Sequence, residues 1–272
     1  MVKDGLMKLE FCPLNSGSNG NVSFVAAGGT RLLIDAGLPG RSITAMLDKI
    51  GVLPETLNGI LVTHEHLDHV KGVGVLSRRY RIPVYANEAT WQAMYRTVGE
   101  VPPHLRRVFE SEADFFVGDI GVLPIPISHD TVEPVAFRLF AGSRSVAVAT
   151  DMGRVTKPVL RHLAGADLIL LESNHDPEML RLNTHYPEAL KRRILGTRGH
   201  LSNLSCAQTL LALHETGVRQ ALLGHLSGDN NTPELAMHTV MDELGRQGVR
   251  PGQDIRLEMA WRDRVGGYFT IE

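Results

Sequence analysis

What most narrows the fold of this chain is the order of its local patterns, which passes through the same change twice: β-rich, then strand alternating with helix, then β-rich and alternating again. Residues 8–15 read as a strand, and 21–26 with Gly28, Gly29 and 31–35 read as a hairpin closed by a glycine turn. Ser42 is placed to cap a helix whose apolar residues Ile43, Met46, Leu47 and Ile50 recur at i, i+3, i+4 and i+7, with Gly51 placed to end it. Short strands at 60–63 and 83–86 then alternate with helices at 69–80 and 88–98. The second β-rich stretch covers 117–128, 135–140 and 145–150, with 141–144 as the turn of its last hairpin. Helices near 157–163, 187–195, 204–216 and 233–246 separate strands at 168–171, 221–224 and 255–261. An apolar sheet face must be covered, and this doubled pattern is satisfied by an α/β layered αββα sandwich: two mixed sheets face to face, flanked by helices. No low-complexity linker or charge block divides the halves, so residues 1–272 are expected to form a single domain.

Composition removes several classes. The 272 residues are 43% hydrophobic and 21% charged, ordinary globular usage that excludes a disordered, collagen-like or fibrous chain. Lys and Arg number 28 against 30 Asp and Glu, a net charge of −2, so nucleic acid is not drawn by a global positive field and any contact with it needs local patches. Cys12 and Cys206 are too few for a disulfide framework and neither lies in a CxxC pair; they read as packed thiols in a reducing cytoplasm. No apolar run reaches the roughly 18 residues of a spanning helix. The opening MVKDGLMKLE lacks the apolar stretch of a signal peptide, so neither a membrane partner nor export is expected.

The segment THEHLDH at 63–69 places His64, His66, Asp68 and His69 directly after an apolar strand. Residues two apart on an extended segment point to one side, so His64 and His66 are spaced to grip one cation. Where the following helix begins the chain changes direction, and Asp68 and His69 aim at a second cation nearby, as two-metal hydrolytic sites require.

His64-x-His66-x-Asp68-His69 resembles the HxHxDH motif of the metallo-β-lactamase fold, a superfamily of αββα hydrolases. The rest of that family's pattern follows in order: His129 after the apolar run ending at Ser128, Asp151 after 146–150, and His225 after 221–224. The resemblance implies that His64, His66 and His129 hold one metal and Asp68, His69 and His225 the other. Asp151 bridges them, and a shared hydroxide serves as nucleophile. It also implies that Asp35, in LLIDAG, accepts an imidazole N–H beside the metal histidines. Asp151 offers oxygen where some lactam hydrolases of the fold carry cysteine; a hard bridge suits phosphate chemistry and accommodates zinc or manganese. His200, in RGHLSN, is needed for neither metal and is left to contact the phosphate or protonate the leaving oxygen, beside Asp68 and Asp151 in the catalytic set.

LNSGSNGN at 14–21, THEHLDHVKG at 63–72, RGHLSN at 198–203 and LGHLSGDNN at 223–231 are similar to the bacterial YycJ/WalJ-like branch. That resemblance implies a metal-dependent phosphodiester hydrolase acting on DNA, a 5′-to-3′ exodeoxyribonuclease. Only 74 positions separate Asp151 from His225, which leaves no room for the inserted β-CASP cap of related nucleases. Arg78, Arg79 and Arg81, and Lys191, Arg192, Arg193 and Arg198, are local cations suited to a phosphate backbone. The loop Ser16-Gly17-Ser18-Asn19-Gly20-Asn21 reads either as a polar hairpin turn or as an anion nest for a 5′-terminal or scissile phosphate, with Asn203 and Ser227 as further substrate contacts. His175 and His185 lie between the metal motifs; whether they face the site is open at this level. Two other readings stand: a small-molecule or cyclic phosphodiesterase or thioesterase using the same centre, and a metal-bearing regulatory protein without catalysis. Neither the native metal nor the oligomeric state is legible.

Overall fold

The computed structural model describes residues 7–272. One sheet holds β1 (Leu9–Gly17), β2 (Gly20–Ala27), β3 (Thr30–Ile34), β4 (Gly59–Leu61), β5 (Val84–Ala86) and β6 (Arg106–Val108) in that spatial order. The other holds β7 (Phe115–Val117), β8 (Ile120–Pro126), β9 (Val135–Ala141), β10 (Arg144–Ala149), β11 (Leu168–Glu172), β12 (Gln220–Gly224) and β13 (Arg256–Met259), likewise in order. β14 (Phe269–Ile271) returns to pair outside β1, so each sheet has seven strands. Both sheets begin with antiparallel hairpins, β1–β3 and β7–β10, and continue in parallel, β3–β6 and β10–β13. The doubled pattern of the sequence is this repeat.

Burial follows the pleat. Leu9, Phe11, Leu32 and Ile34 meet Phe137, Leu139, Val146, Leu168 and Leu170 in the core between the sheets. Cys12, Leu14 and Leu33 face the other way, under α1 (Gly40–Lys49), α2 (Leu67–Val70), α3 (Val73–Tyr80) and α4 (Glu88–Val98). On the far side Ala147, Ile169, Leu171 and Leu223 lie under α5 (Lys157–Leu163), α6 (Pro177–Leu182), α7 (Glu188–Leu195), α8 (Asn203–Glu215) and α9 (Pro233–Arg246), with α5, α8 and α9 supplying the apolar cover. A parallel strand covered on both faces is apolar at every position, which is why β11 reads LILLE without alternation. No helix of the described residues is long and apolar enough to cross a membrane.

Several local expectations are corrected. α1 starts at Gly40 behind Pro39, and Ser42 sits in its first turn, its N–H donating to the Pro39 carbonyl at 2.8 Å, rather than capping it. The helix expected at 69–80 is two pieces. It breaks at Lys71 and Gly72 because Gly72 turns its N–H to the Ala36 carbonyl at 2.7 Å, and a Cβ there would lie 2.4 Å from the Leu38 carbonyl. The strand expected at 117–128 is the β7–β8 hairpin, whose turn residue Asp119 accepts the Gly29 N–H at 2.9 Å and thereby ties the second sheet to the first. Short β6 and β14 and helix α6 carried no readable periodicity.

The loop after β3 fixes the segment carrying Asp68 and His69. Ala36 N–H donates to the His69 carbonyl at 2.8 Å and Gly37 N–H to the Asn21 carbonyl at 2.9 Å. A Cβ on Gly37 would stand 1.6 Å from the Asp68 carbonyl oxygen. Gly37→Ala is therefore expected to cost about 1–3 kcal/mol and to weaken metal binding together with it. Thermal unfolding and metal titration check this; wild-type values of both would show that the close approach is dispensable.

Candidate metal centre

The parallel strands of both sheets end along one edge of the sandwich, and the candidate ligands stand just past those ends. Thr63 and His64 follow β4, His129 follows β8, Asp151 follows β10 and His225 follows β12, while Asp68 and His69 lie on the single turn of α2. Asp35, Asp151 and His225 each take a left-handed backbone conformation, with φ of 58°, 61° and 56°. That reverses the chain at the strand exit, and Asp and His are among the few non-glycine residues that tolerate it.

His64 Nε2, His66 Nδ1 and His129 Nε2 converge, with His66 Nδ1 at 3.2 and 3.3 Å from the other two. On the other side Asp68 Oδ2 lies 3.5 Å from His69 Nε2 and 3.7 Å from His225 Nε2. Asp151 stands between the groups. Its Oδ1 is 3.6 Å from both His129 Nε2 and His225 Nε2, and its Oδ2 is 3.3 Å from His69 Nε2. His64, His69, His129, Asp151 and His225 are buried, while His66 and Asp68 keep about a third and a quarter of their side chains exposed (32% and 25%) toward the cleft.

Each buried imidazole is held from behind. His69 Nδ1 lies 2.8 Å from Asp35 Oδ2; Thr63 donates its N–H to Asp35 Oδ1 and its hydroxyl to Oδ2, both at 2.9 Å, and that hydroxyl oxygen sits 3.0 Å from His64 Nδ1. His129 Nδ1 meets the Gly199 carbonyl at 3.1 Å, and His225 Nδ1 meets Glu172 Oε1 at 2.7 Å. A proton fixed on Nδ1 leaves the Nε2 lone pair facing inward, the form a metal needs. His225 Nε2 and Asp151 Oδ2 are buried without a hydrogen-bond partner, which native interiors rarely tolerate. The donor set around them, imidazole nitrogens and carboxylate oxygens, fits divalent cations.

The electrostatics divide along the same line. Burial, with His69, His129 and His66 around it, holds the His64 pKa well below the ordinary imidazole value. On the carboxylate-rich side burial also opposes a charge, but Asp151, Asp35 and Asp68 overcome it at His69 and hold its pKa well above the ordinary value. Asp151, Asp68 and Glu172 do the same at His225, raising it to about 10. Burial would raise Asp68 and Asp151, yet the surrounding histidines keep both below the usual carboxylate range. That half of the site carries the field of a cation-binding pocket.

The carboxyl group of Glu172 escaped the sequence reading. It is fully buried at the last position of β11, where Oε1 accepts from His225 Nδ1 at 2.7 Å and His200 Nδ1 at 2.8 Å, and Oε2 from the Met152 and Leu201 N–H groups, both at 2.9 Å. Burial alone would raise its pKa, but His200 and His225 draw it down to about 2. Four donors occupy its oxygens, so it orients imidazoles rather than offering itself to a cation. A charged residue closing a wholly apolar strand was the available signal. Burial works against protonation of His200, and Glu172 and Asp151 raise its pKa above the ordinary value.

A cleft of about 350 Å³ opens over these groups, lined also by Ser18, Leu67, Asp130, Asn174, Tyr186, Leu190, Arg193 and Ser227. Ser16, Asn21 and Asn203, expected as substrate contacts, are engaged inside the protein instead. The Ser16 hydroxyl accepts the His225 N–H at 2.9 Å, the Asn21 amide spans the Gly17 N–H and Asp68 Oδ2, and Asn203 is locked to Ser173 and Asn231. Asn19 is exposed at the hairpin tip outside the cleft lining, so of the hairpin's polar side chains only Ser18 lines the cleft. Among the basic residues, Arg78 is committed to the Val98 and Glu100 carbonyls, Lys191 is buried on the Arg181 carbonyl, and Arg198 holds the His129 and Thr131 carbonyls. His175 is buried, burial pressing its pKa to about 4, and His185 is exposed beside a separate hollow. Cys12 and Cys206 are buried free thiols, and burial pushes Cys12 up to about 12.

Residues 30–226 match the sequence profile of a Beta-lactamase superfamily domain. The chain is similar to the exodeoxyribonuclease YycJ of Bacillus anthracis, 40% identical over 247 residues, 91% of this chain and 93% of that protein. It is similar to the exodeoxyribonuclease WalJ of Streptococcus pneumoniae serotype 2, 40% identical over 246 residues, 90% of this chain and 91% of that protein. In fold it resembles the metallo-β-lactamase fold protein YhfI of Bacillus subtilis, with a TM-score of 0.71 and 17% identity over 97% of this chain and 99% of that one.

The position of Glu172 yields a test. In Glu172→Gln the amide N–H₂ faces two donors whichever way it flips, and when it faces the imidazoles His225 responds by moving its proton to Nε2, the nitrogen that must stay free to bind a cation. Metal affinity is expected to fall about 10–100-fold, the range for loss of such an orienting partner, with the fold retained by circular dichroism. Unchanged affinity in a metal titration would show that Glu172 does not set the tautomer.

Proposed function

We propose, for a chain that belongs to the metallo-β-lactamase superfamily and within it to the family of YycJ and WalJ, that it is a metal-dependent 5′-to-3′ exodeoxyribonuclease working in the cytoplasm. It acts as one domain without a β-CASP cap. The observation that carries the reading is the likeness, across nine-tenths of both chains, to proteins named as exodeoxyribonucleases, and the buried histidine and carboxylate centre supports it.

Two divalent cations, zinc or manganese, fit the donors: His64, His66 and His129 for one, Asp68, His69 and His225 for the other, with Asp151 between. Such ions, when bound, polarise a phosphodiester and make water acidic enough to ionise near neutral pH. The chain's own residues supply the rest. Asp68, anionic and partly exposed, is placed to accept a hydrogen bond from the attacking water and is steadied by Asn21. His200 has its Nδ1 tied to Glu172, so Nε2 is the nitrogen free to deliver a proton to the leaving oxygen. A small cyclic phosphodiester also suits a 350 Å³ cleft, and it forms the competing arm of the assay.

Linear DNA, closed circular DNA, RNA, a cyclic phosphodiester and a thioester, each with manganese or zinc, test the assignment: linear DNA is expected to be degraded and the closed circle to resist. Efficient cutting of the circle, or preference for the cyclic substrate, would overturn it. Asp151→Ala is expected to lose both metal and turnover, and full retention of two ions with normal activity would remove Asp151 from the centre. His200→Ala is expected to keep its metal while turnover falls by roughly 10²–10⁴. A p-nitrophenyl leaving group, which needs no proton, should recover much of that loss; equal loss on both substrates would make His200 a phosphate-binding residue.

A further inference from the structure

The cleft is rich in acid. Asp68, Asp130 and Asp151 line it, and Arg193 is the one Lys or Arg among its lining residues. Arg193 projects from the last turn of α7, and its Nε is bonded to Asp130 Oδ2. Its Nη1 and Nη2 have no hydrogen-bond partner among the described residues. The other oxygen of Asp130 faces the histidines, 3.4 Å from His129 Nε2 and 4.0 Å from His66 Nε2, buried and without a hydrogen-bond partner of its own. Asp130 thus holds the guanidinium at Nε and leaves Nη1 and Nη2 free on a side chain that lines the cleft beside the metal centre.

From this geometry we propose that Asp130 and Arg193 form a clamp for a second phosphate of the DNA strand, the 5′-terminal one, while the scissile phosphate occupies the metal centre. The inference rests on the exodeoxyribonuclease reading. A guanidinium fork bound at Nε keeps two parallel N–H donors on its far side, which match two oxygens of a phosphate monoester. A terminal phosphate carries more charge than an internal diester, so a single fixed cation discriminates ends from interior. At the hairpin of Ser18, which reads from sequence as a turn or an anion nest, Ser16 and Asn21 are bonded within the protein and Ser18 alone lines the cleft, so the hairpin brings no cation to a phosphate.

The test compares linear DNA with a 5′-phosphate, the same DNA with a 5′-hydroxyl, and bis(p-nitrophenyl) phosphate, which has no neighbouring phosphate, in the metal-loaded full chain. Wild type is expected to favour the 5′-phosphate. Arg193→Gln should lose about 10–100-fold in kcat/KM on that substrate, at least tenfold more than on either of the others. Arg193→Lys restores charge without the fork and should recover only part. Asp130→Asn should follow Arg193→Gln in end preference while keeping its metal content. The clamp is overturned if Arg193→Gln retains the preference or loses equally on all three substrates. It is also overturned if wild type digests both DNA ends alike, or if Asp130→Asn loses metal, which would make Asp130 a ligand. A wild-type enzyme that hydrolyses bis(p-nitrophenyl) phosphate but leaves both linear DNAs intact removes the exodeoxyribonuclease reading, and the clamp with it.

Discussion

The hydrogen bond behind each buried imidazole is the interaction on which this site depends. A histidine cluster in an apolar sandwich would find its own protonation states and repel itself; here each Nδ1 is assigned a fixed partner, and each partner comes from a different element. Asp35 leaves β3, Gly199 precedes α8 and Glu172 closes β11. Glu172 reaches furthest, since its two oxygens bind the exits of β10 and β12 and the segment leading into α8. The carboxylate therefore sets the spacing of three chain segments as well as one tautomer.

That dependence explains why the site sits between the two halves of the molecule. The first sheet supplies Asp35, His64, His66, Asp68 and His69, and the second supplies His129, Asp151, Glu172 and His225. Neither half brings a complete donor set. The inter-sheet core, where Phe11 and Ile34 meet Phe137 and Leu170, is what fixes the distance from one set to the other. Asp119 of the second sheet, bonded to Gly29 and Thr30 of the first, adds a polar tie at the opposite end of those strands.

How much of this was legible follows from the range of each signal. The doubled order of patterns foretold the two sheets because hairpin turns and helical spacing are local. The His64 to His69 cluster was legible for the same reason. His129, Asp151 and His225 are far apart in sequence and became candidates through a family resemblance; no spacing rule joins them, because strand pairing does. Glu172 went unnoticed although LILLE ends a buried strand on a charge, since the chemistry of a carboxylate that only orients others has no short motif. The loop at Ser16 to Asn21 reads two ways from sequence because its small polar residues suit a turn and a phosphate equally; in the structure Ser16 and Asn21 are bonded within the protein and Ser18 lines the cleft. Lys71 and Gly72 continue a helical period, so the break there was visible only through the carbonyl that Gly72 meets.

The left-handed turns at Asp35, Asp151 and His225 have a consequence for how the site tolerates change. Two alphabets apply at once at these positions. The backbone accepts Gly, Asn, Asp and His with little strain, while the chemistry accepts an anion or an imidazole. Their overlap is nearly confined to the residues present, so most replacements fail twice, in conformation and in function, and a lost activity reveals nothing about which failure came first. Asp→Asn at 35 and 151 is the exchange that breaks only one rule: it preserves volume and handedness and removes the charge. At these turns the isosteric amide is the control that separates what the aspartate does for the chain from what it does for the chemistry.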